Sequence, residues 1–182
     1  MLTLVRRVRS LALRSLAAML LAAPLWAAGA GFPMAYAPMV VEPHTSTGRA
    51  EFDLSTALAR ARREGKWLYV YLGASDCPYC RKYEAFLEQN AAELVPHFSK
   101  YLVVDLRSAL SVTSKALFIK VGATSLPYAE FQTSLGDERA RLLVYPSVWL
   151  LDGTPKPLMQ MPAGTGTFQT VPEQLEILRL EQ

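Results

Sequence analysis

The feature that most constrains the fold of this chain is an apolar run that leads into a pair of cysteines. The run is KWLYVYLGAS, residues 66–75. It is short, nearly continuous and rich in aromatic and β-branched residues, which is typical of a strand buried inside a sheet. Cys77 and Cys80, the only cysteines, follow directly and enclose Pro78 and Tyr79. Since a helical pattern comes next, we expect the pair where a central strand passes into a helix.

The elements around this junction predict an α/β fold. Before the strand, a helix is expected to begin with Asp53 as its N-cap and to end at Gly65. The helix after the cysteines is expected to extend to Pro96. YLVVDL, residues 101–106, then predicts a second buried strand.

The second half of the chain is less regular. Residues 107–141 contain SKALFIKV and PYAEFQTSL, which we interpret as an extended middle helical region broken by glycines. PSVWLLDGTPKPLMQM predicts two strands that turn at Asp152-Gly153. A final helix is indicated by a capping box of Thr170 and Glu173. The order predicts a central mixed sheet flanked by helices, with a parallel strand pair followed by an antiparallel pair.

The first thirty residues have the pattern of an export signal. Four arginines and no acidic residue precede an apolar run, and Ala28-Gly29-Ala30 fits the small-x-small cleavage pattern. We therefore expect a signal peptide over residues 1–30, cut after Ala30. The alternative is an uncleaved membrane anchor. The apolar run from Leu16 to Phe32 is short for a bilayer span, however, and Pro24 interrupts it.

Removing this leader makes the chain almost neutral. The whole sequence has 19 basic and 16 acidic residues, and four of the basic ones lie in the leader. The balance gives no reason to expect nucleic acid or an anionic membrane as a partner. We expect membrane contact only if the leader stays uncleaved.

Three kinds of chemistry are open to the cysteine pair. A structural zinc site normally needs four ligands, and His44 and His97 are the only histidines that could complete it. A structural disulfide here would close a very small loop and would stabilise little in the chain-entropy model. A redox pair fits better, because Cys77 would lie at a helix N-terminus, which favours a thiolate, and Cys80 would be more buried. We expect redox chemistry without a metal or an organic cofactor.

A resemblance supports the redox interpretation. The active-site region of exported thioredoxin-like proteins resembles the segment EGKWLYVYLGASDCPYCRKYEAF. That superfamily also has a later hydrophobic strand introduced by a proline, which Tyr145-Pro146 before SVWLLDG resembles. The resemblance spans roughly Glu51 to Leu180 and implies a thioredoxin fold for a domain at residues 51–182. Residues 31–50 mix Pro, Gly, Ser and Thr without a period, so we expect a linker or extended arm there.

The resemblance also implies roles for individual residues. Cys77 would attack a substrate disulfide, and Cys80 would resolve the mixed disulfide. Pro146 would follow a cis peptide bond, with Tyr145 presenting the substrate backbone. Pro78 and Tyr79, the residues between the cysteines, would tune the reduction potential.

Two positions depart from the pattern of the superfamily. Tyr71 stands where many thioredoxins have a buried acid that assists proton transfer, so that device is missing or replaced. The alternating aromatic residues Tyr69 and Tyr71 are expected to be core. Asp76 stands where tryptophan is frequent. Its carboxylate would oppose thiolate formation at Cys77, although we expect Asp76 more as a cap of the following helix.

The function implied by the resemblance is that of an exported thiol–disulfide oxidoreductase. Its substrates would be envelope proteins with cysteine pairs, and a membrane or periplasmic protein would be its redox partner. We expect it in the periplasm, or anchored in the inner membrane and facing the periplasm. The alternative is a thioredoxin-fold binding or assembly module with a non-catalytic disulfide, for which residues 107–141 would supply the interaction surface. A metal carrier is a third possibility.

Overall fold

The computed structural model describes residues 31–136, 142–152, 157–160 and 170–179. The predicted signal peptide and its cleavage site at Ala30 lie outside the described residues, as does Gly153 of the predicted turn. Within the ranges that are described, no helix is both long enough and apolar enough to span a bilayer.

Strands and helices follow one another along the described chain. The strands are β1 (Met39–Val41), β2 (His44–Ser46), β3 (Arg49–Asp53), β4 (Trp67–Ala74), β5 (Tyr101–Ser108), β6 (Leu117–Val121), β7 (Thr124–Pro127), β8 (Ser147–Leu151) and β9 (Pro157–Gln160). The α-helices are α1 (Ser55–Glu64), α2 (Pro78–Gln89), α3 (Ala91–Leu94), α4 (Tyr128–Ser134) and α5 (Val171–Arg179). Short 3-10 turns lie at Met34–Tyr36 and Val95–Phe98.

The central sheet is mixed and has the strand order β1-β5-β4-β8-β9. Strands β1, β5 and β4 run parallel, β8 is antiparallel to β4, and β9 is antiparallel to β8. The predicted parallel pair followed by an antiparallel pair is therefore confirmed. In this register Tyr71 of β4 lies beside Asp105 of β5 and Val148 of β8.

Strand β4 supplies side chains to a hydrophobic core on each face of the sheet. Leu68, Val70 and Leu72 pack with α1 and α4, whereas Tyr69 and Tyr71 pack with α2 and α5. This alternation follows from the two-residue period of a strand. All five side chains are buried, which confirms the expectation that the tyrosines of this strand are core.

The helices next to β4 begin and end close to the predicted residues, with two differences. Leu54 is the N-cap of α1, while the carboxylate of Asp53 accepts a hydrogen bond from the Ser55 N–H at 2.9 Å. Gly65 ends α1 in the left-handed conformation, as expected. The helix expected to reach Pro96 stops earlier, because at Asn90 the backbone leaves the α-helical region before α3 begins.

The prediction of an extended helical region at residues 107–141 is wrong. Leu117–Val121 and Thr124–Pro127 are strands, and with β2 and β3 they form a second sheet of order β2-β3-β6-β7. Gly122, with φ of 61°, opens the two-residue turn between them, a conformation that glycine adopts without a steric penalty. Within the described part of this region, residues 107–136, only α4 is helical where a helix was expected.

Residues 31–50, where a linker or extended arm was expected, supply one strand to each sheet and part of a third. Strand β1 pairs with β5, and β2 pairs with β3. Phe32 is 2% exposed, and its ring lies edge-on to those of Tyr36, Tyr69 and Tyr71 at centroid distances of 5.2–5.7 Å. The segment therefore covers part of the core on the α2 face of the sheet.

We predict that Phe32→Ala destabilises the protein by about 3–5 kcal/mol, because the substitution leaves a cavity among these aromatic rings. The free energy of unfolding from urea titration measures the effect. Met34→Ala is the matched control, since Met34 is 75% exposed, and it should change stability by less than about 0.5 kcal/mol. Equal stability of the two variants would contradict the packing of Phe32 against these rings.

Candidate active site

Cys77 occupies the N-cap position of α2. Its sulfur accepts a hydrogen bond from the Cys80 N–H at 3.2 Å, and Pro78 stands in the first turn, where the missing N–H costs no hydrogen bond. Unpaired N–H groups and the helix macrodipole favour negative charge at this end of a helix. The sequence thus placed Cys77 correctly, at a site suited to a thiolate nucleophile.

Cys80 lies below Cys77, one turn into the helix, and is completely buried. The backbone N–H of Ala74, the last residue of β4, donates to its sulfur at 3.4 Å. Burial raises the pKa of the Cys80 thiol to about 12. At neutral pH this thiol therefore keeps its proton.

Tyr145 and Pro146 meet the cysteines from the other side. The bond between them is cis, as the resemblance implied. The Cys77 thiol donates to the carbonyl oxygen of Tyr145 at 3.6 Å, and the Tyr145 hydroxyl shares a hydrogen bond with Ser108 at 2.8 Å. Burial raises the pKa of Tyr145 to about 12. Both ends of Tyr145 are thus held beside the cysteine pair.

Asp76 has a different place from the one predicted. The cap of α2 is Cys77, so the expectation that Asp76 caps this helix is wrong. Asp76 is exposed, and its carboxylate accepts a hydrogen bond from the Leu110 N–H at 2.8 Å. Tyr79 is 66% exposed, and the Lys82 ammonium lies 5.5 Å from the centre of its ring. The rim around Cys77 is therefore open to solvent at these side chains.

A buried polar cluster behind Cys80 was missed by the sequence analysis. The Tyr71 hydroxyl donates to Glu84 Oε1 at 2.9 Å, and Asp105 is buried on the neighbouring strand. Asp105 Oδ2 accepts from the Phe32 N–H at 3.1 Å and from Arg107 Nε at 3.0 Å. Burial raises the pKa of both carboxyl groups. The one sequence feature that could have indicated this cluster is Asp105, an aspartate inside the apolar run YLVVDL.

This cluster borders a cavity of about 280 Å³. The lining includes Tyr71, Gly73, Glu84, Asp105 and Arg107. Asp105 Oδ1, which is buried, has no hydrogen-bond partner. The cavity thus gathers acidic side chains beside Ala74, whose N–H donates to the Cys80 sulfur.

The described residues offer no metal centre, because nowhere among them do three or more His, Cys, Asp or Glu side chains gather with suitable geometry. His44 lies in β2, and His97 lies in the 3-10 turn before β5.

Residues 49–108 match the model of a family described as thioredoxin-like. The matched segment runs from β3 to the end of β5 and includes both cysteines. The protein has a thioredoxin fold. The predicted fold class is thus confirmed, with the second sheet β2-β3-β6-β7 in addition.

Two solved structures are similar to this chain. A thioredoxin-fold protein from Helicobacter pylori is 18% identical, with a TM-score of 0.42, over 63% of this chain and 68% of that one. The exposed lipoprotein thioredoxin of Streptococcus pneumoniae is 17% identical, with a TM-score of 0.37, over 76% of this chain and 96% of that one. A comparison with curated proteins gave no significant match.

We predict that Cys80 is almost unreactive in the folded protein. With a pKa of about 12, the thiolate fraction at about pH 8 is on the order of 10⁻⁴. Native Cys77→Ser should therefore resist alkylation by iodoacetamide, whereas the same variant in urea should react like a free thiol. Equal rates in the two conditions would show that Cys80 is accessible and ionised.

We further predict opposite pH dependences for two aspartates. Burial raises the pKa of Asp105, so the folded state loses stability relative to the unfolded state as pH rises above about 3.9 and Asp105 ionises. In unfolding titrations across this range, the stability of Asp105→Asn relative to the wild type should increase as pH increases.

Asp53→Asn is the matched control for this measurement. Burial of Asp53 is outweighed by its hydrogen bonds with Lys120 and Ser55, so its pKa is lowered. Folding then favours the ionised form. The stability of Asp53→Asn relative to the wild type should therefore decrease as pH increases. The same sign for both variants would contradict the assignment of the two shifts.

Proposed function

We propose that this chain is an exported thiol–disulfide oxidoreductase that reduces or exchanges disulfides in envelope proteins. The observation that carries the proposal is the arrangement of the two sulfurs. Cys77 lies at the helix N-terminus beside the Tyr145 carbonyl, and Cys80 is buried beneath it. Such a pair supplies an attacking thiol and a protected resolving thiol.

The reaction follows from these positions. The Cys77 thiolate attacks one sulfur of a substrate disulfide, and the other substrate sulfur leaves as a thiolate. Cys80 then loses its proton and attacks Cys77, which breaks the mixed disulfide and releases the second substrate thiolate. The pair gives up two electrons and becomes a disulfide, while the substrate gains two electrons and, after protonation, two thiols.

The surroundings of Cys77 suit a polypeptide substrate. Two large apolar side chains around the site are exposed, Tyr79 between the cysteines and Leu110 beside Asp76. Leu142, three residues before Tyr145 in the sequence, is exposed as well. An extended substrate segment would run past Tyr145 and Pro146 and cover these apolar side chains as it binds. Pro78 and Tyr79 would tune the potential of the pair.

The export signal supports the location and the partners. Arginines followed by an apolar run and Ala28-Gly29-Ala30 favour transport out of the cytoplasm. The substrates would then be periplasmic proteins with cysteine pairs. A membrane or periplasmic redox protein would return the Cys77–Cys80 pair to its working state.

Reduction of insulin disulfides tests the proposal. The wild type should accelerate insulin reduction by dithiothreitol, Cys77→Ser should lose this activity, and Cys80→Ser should accumulate a mixed disulfide through Cys77. If the wild type neither accelerates the reaction nor exchanges with a thiol buffer, the protein is not an oxidoreductase and the binding module replaces it.

Equilibration with thiol buffers tests the direction of electron flow. A reduction potential near −270 mV is characteristic of thioredoxin-like donors, and one of about −120 mV is characteristic of an oxidant. For the preferred activity, reduction or interchange, we expect a value well below that of the oxidant.

A further inference from the structure

The cavity beside β4 and β5 contains more acidic than basic side chains. Glu42, Glu84 and Asp105 line it, whereas Arg107 is the one basic residue among the described residues of its lining. Arg81 supplies a second guanidinium group, 2.5 Å from Glu84 Oε2. One further positive charge would therefore balance the carboxyl groups. Buried carboxylates are costly unless they are paired or hydrogen-bonded.

Asp105 is the acid in this cavity whose hydrogen bonding is incomplete. Its Oδ2 accepts from the Phe32 N–H at 3.1 Å and from Arg107 Nε at 3.0 Å, whereas its Oδ1 has no hydrogen-bond partner. Asp105 has no exposed surface, so bulk water does not satisfy this oxygen. An unsatisfied buried acceptor destabilises the folded state. A donor that also carries positive charge would suit this place best.

Gly31 lies directly against these carboxyl groups. It lines the cavity together with Glu84 and Asp105. A Cβ atom at Gly31 would lie 2.6 Å from Asp105 Oδ2 and 2.9 Å from Arg107 Nε, so a larger residue would push these side chains aside. Burial raises the pKa of Glu84, and a hydrogen bond from the Gly31 N–H is among the interactions that oppose this rise. The buried ring of Phe32 fixes the next residue, which holds Gly31 in place.

Gly31 is also the first residue of the mature chain if the export signal is cut after Ala30, as its small-x-small pattern predicts. We propose that this cut creates a binding site for the chain's own N-terminus, in which the carboxylates of Glu84 and Asp105 bind the α-ammonium group of Gly31. The inference rests on the export signal of the function proposed above and does not depend on the redox chemistry.

The cut changes the chemistry of the Gly31 nitrogen where it meets the carboxyl groups. Before the cut this nitrogen belongs to an amide, which is neutral and has one N–H group. Hydrolysis of the Ala30–Gly31 bond consumes one water molecule, leaves a carboxylate on Ala30 and gives Gly31 an ammonium group. An ammonium group has three N–H donors, and its hydrogen bonds to carboxylates are stronger than those of a neutral amide. One donor can therefore serve Glu84 while another serves Asp105.

A metal ion is a poor alternative occupant of this cavity. The part of the chain that the structure describes has no group of three or more His, Cys, Asp or Glu side chains that could hold one. An α-ammonium group needs no such set of ligands. Its position is also fixed in advance by the packing of Phe32, so little conformational entropy is lost when it binds.

Binding in the cavity gives the α-amino group a distinct pH dependence. Carboxylates favour its charged form, so its pKa should rise above the usual value of about 8. A raised pKa in the folded state contributes stability that is fully present below the unfolded value and is lost as pH rises through the folded value. The ammonium group would in turn offset part of the rise that burial causes in the pKa of Asp105. The described titratable and charged groups around the site are Glu42, Tyr71, Arg81, Glu84, Asp105 and Arg107.

The first test is the N-terminus of the protein after secretion with its own leader from a bacterial host. The intact mass should correspond to a chain that begins at Gly31. A chain that begins at any other residue, or that keeps its leader, would overturn the inference. Insulin reduction reports on the redox function separately, so failure of one proposal is distinguishable from failure of the other.

The second test compares the chain that begins at Gly31 with one that begins at Ala28, in which the Gly31 nitrogen is again an amide. At about pH 6.5, urea titration should give an unfolding equilibrium constant at least about tenfold smaller for the chain that begins at Gly31, which corresponds to a pKa rise of one unit. This difference should disappear as pH rises from about 8 through the raised pKa of the α-amino group. Equal unfolding constants, or a difference that does not change with pH, would contradict the binding of the N-terminus.

Matched variants show whether the cavity is responsible. Glu84→Gln and Asp105→Asn, made in both chains, should reduce the difference between them, because each removes one carboxylate from the site. Glu88→Gln removes an exposed carboxylate from α2 and should leave the difference unchanged. If Glu88→Gln reduces it as much as Glu84→Gln does, general surface charge is the cause and the site is wrong.

A direct measurement of the α-amino group does not depend on the folding of any variant. The rate at which an amine-reactive reagent labels Gly31 in the folded wild type, followed over pH, gives the pKa of this group. A value at least about one unit above the usual value of about 8 supports the binding of the N-terminus in the cavity. An ordinary value would overturn it.

Discussion

The hydrogen bonding of β4 on both of its edges is the constraint on which the site depends. The strand pairs with β5 along its whole length and with β8 over Leu68–Leu72. A shift of one residue would exchange the two hydrophobic faces, so the register is fixed. At the end of the strand the Cys77 N–H donates to the Ala74 carbonyl at 3.1 Å. The position of the nucleophile is therefore set by the backbone of the sheet.

Helix α2 and strand β5, on either side of β4, bring polar groups into the interior that a purely structural core would avoid. Burying a carboxyl group is costly unless it is hydrogen-bonded or neutral. Glu84 and Asp105 are both buried, and Asp105 Oδ1 has no hydrogen-bond partner. Apolar residues could fill this space with a gain in stability. Core packing alone therefore does not explain why these two carboxyl groups are buried.

The local features of the fold could be predicted because they depend on neighbouring residues. The apolar run of β4, the Pro78 turn and the hydrophobic face of α2 are visible in the sequence at the right spacing. The role of Asp76 was harder to predict from the sequence. Asp76 and Cys77 are both able to cap a helix, and the choice between them depends on where the preceding strand ends.

The missed features depend on residues far apart in the sequence. Phe32 follows a glycine and precedes a proline, and only the distant rings of Tyr69 and Phe98 show that it is buried. LFIKV in β6 is short enough to suit a helix or a strand, and its pairing with β3 decides between them. Glu84 is a charged residue of an amphipathic helix, and only the hydroxyl of the distant Tyr71, which donates to it at 2.9 Å, shows that it is buried.

The small exposure of Cys77, only 2%, would impose a steric filter on the proposed reaction. The sulfur lies between the Tyr145 carbonyl and the first turn of α2, so little of its surface can be approached. A disulfide within a compact domain brings too much surrounding structure to reach it. A disulfide in a flexible or partly unfolded segment carries much less. If the pair exchanges disulfides as proposed, selection among substrates would depend on how far each one is folded, rather than on the sequence around its cysteines.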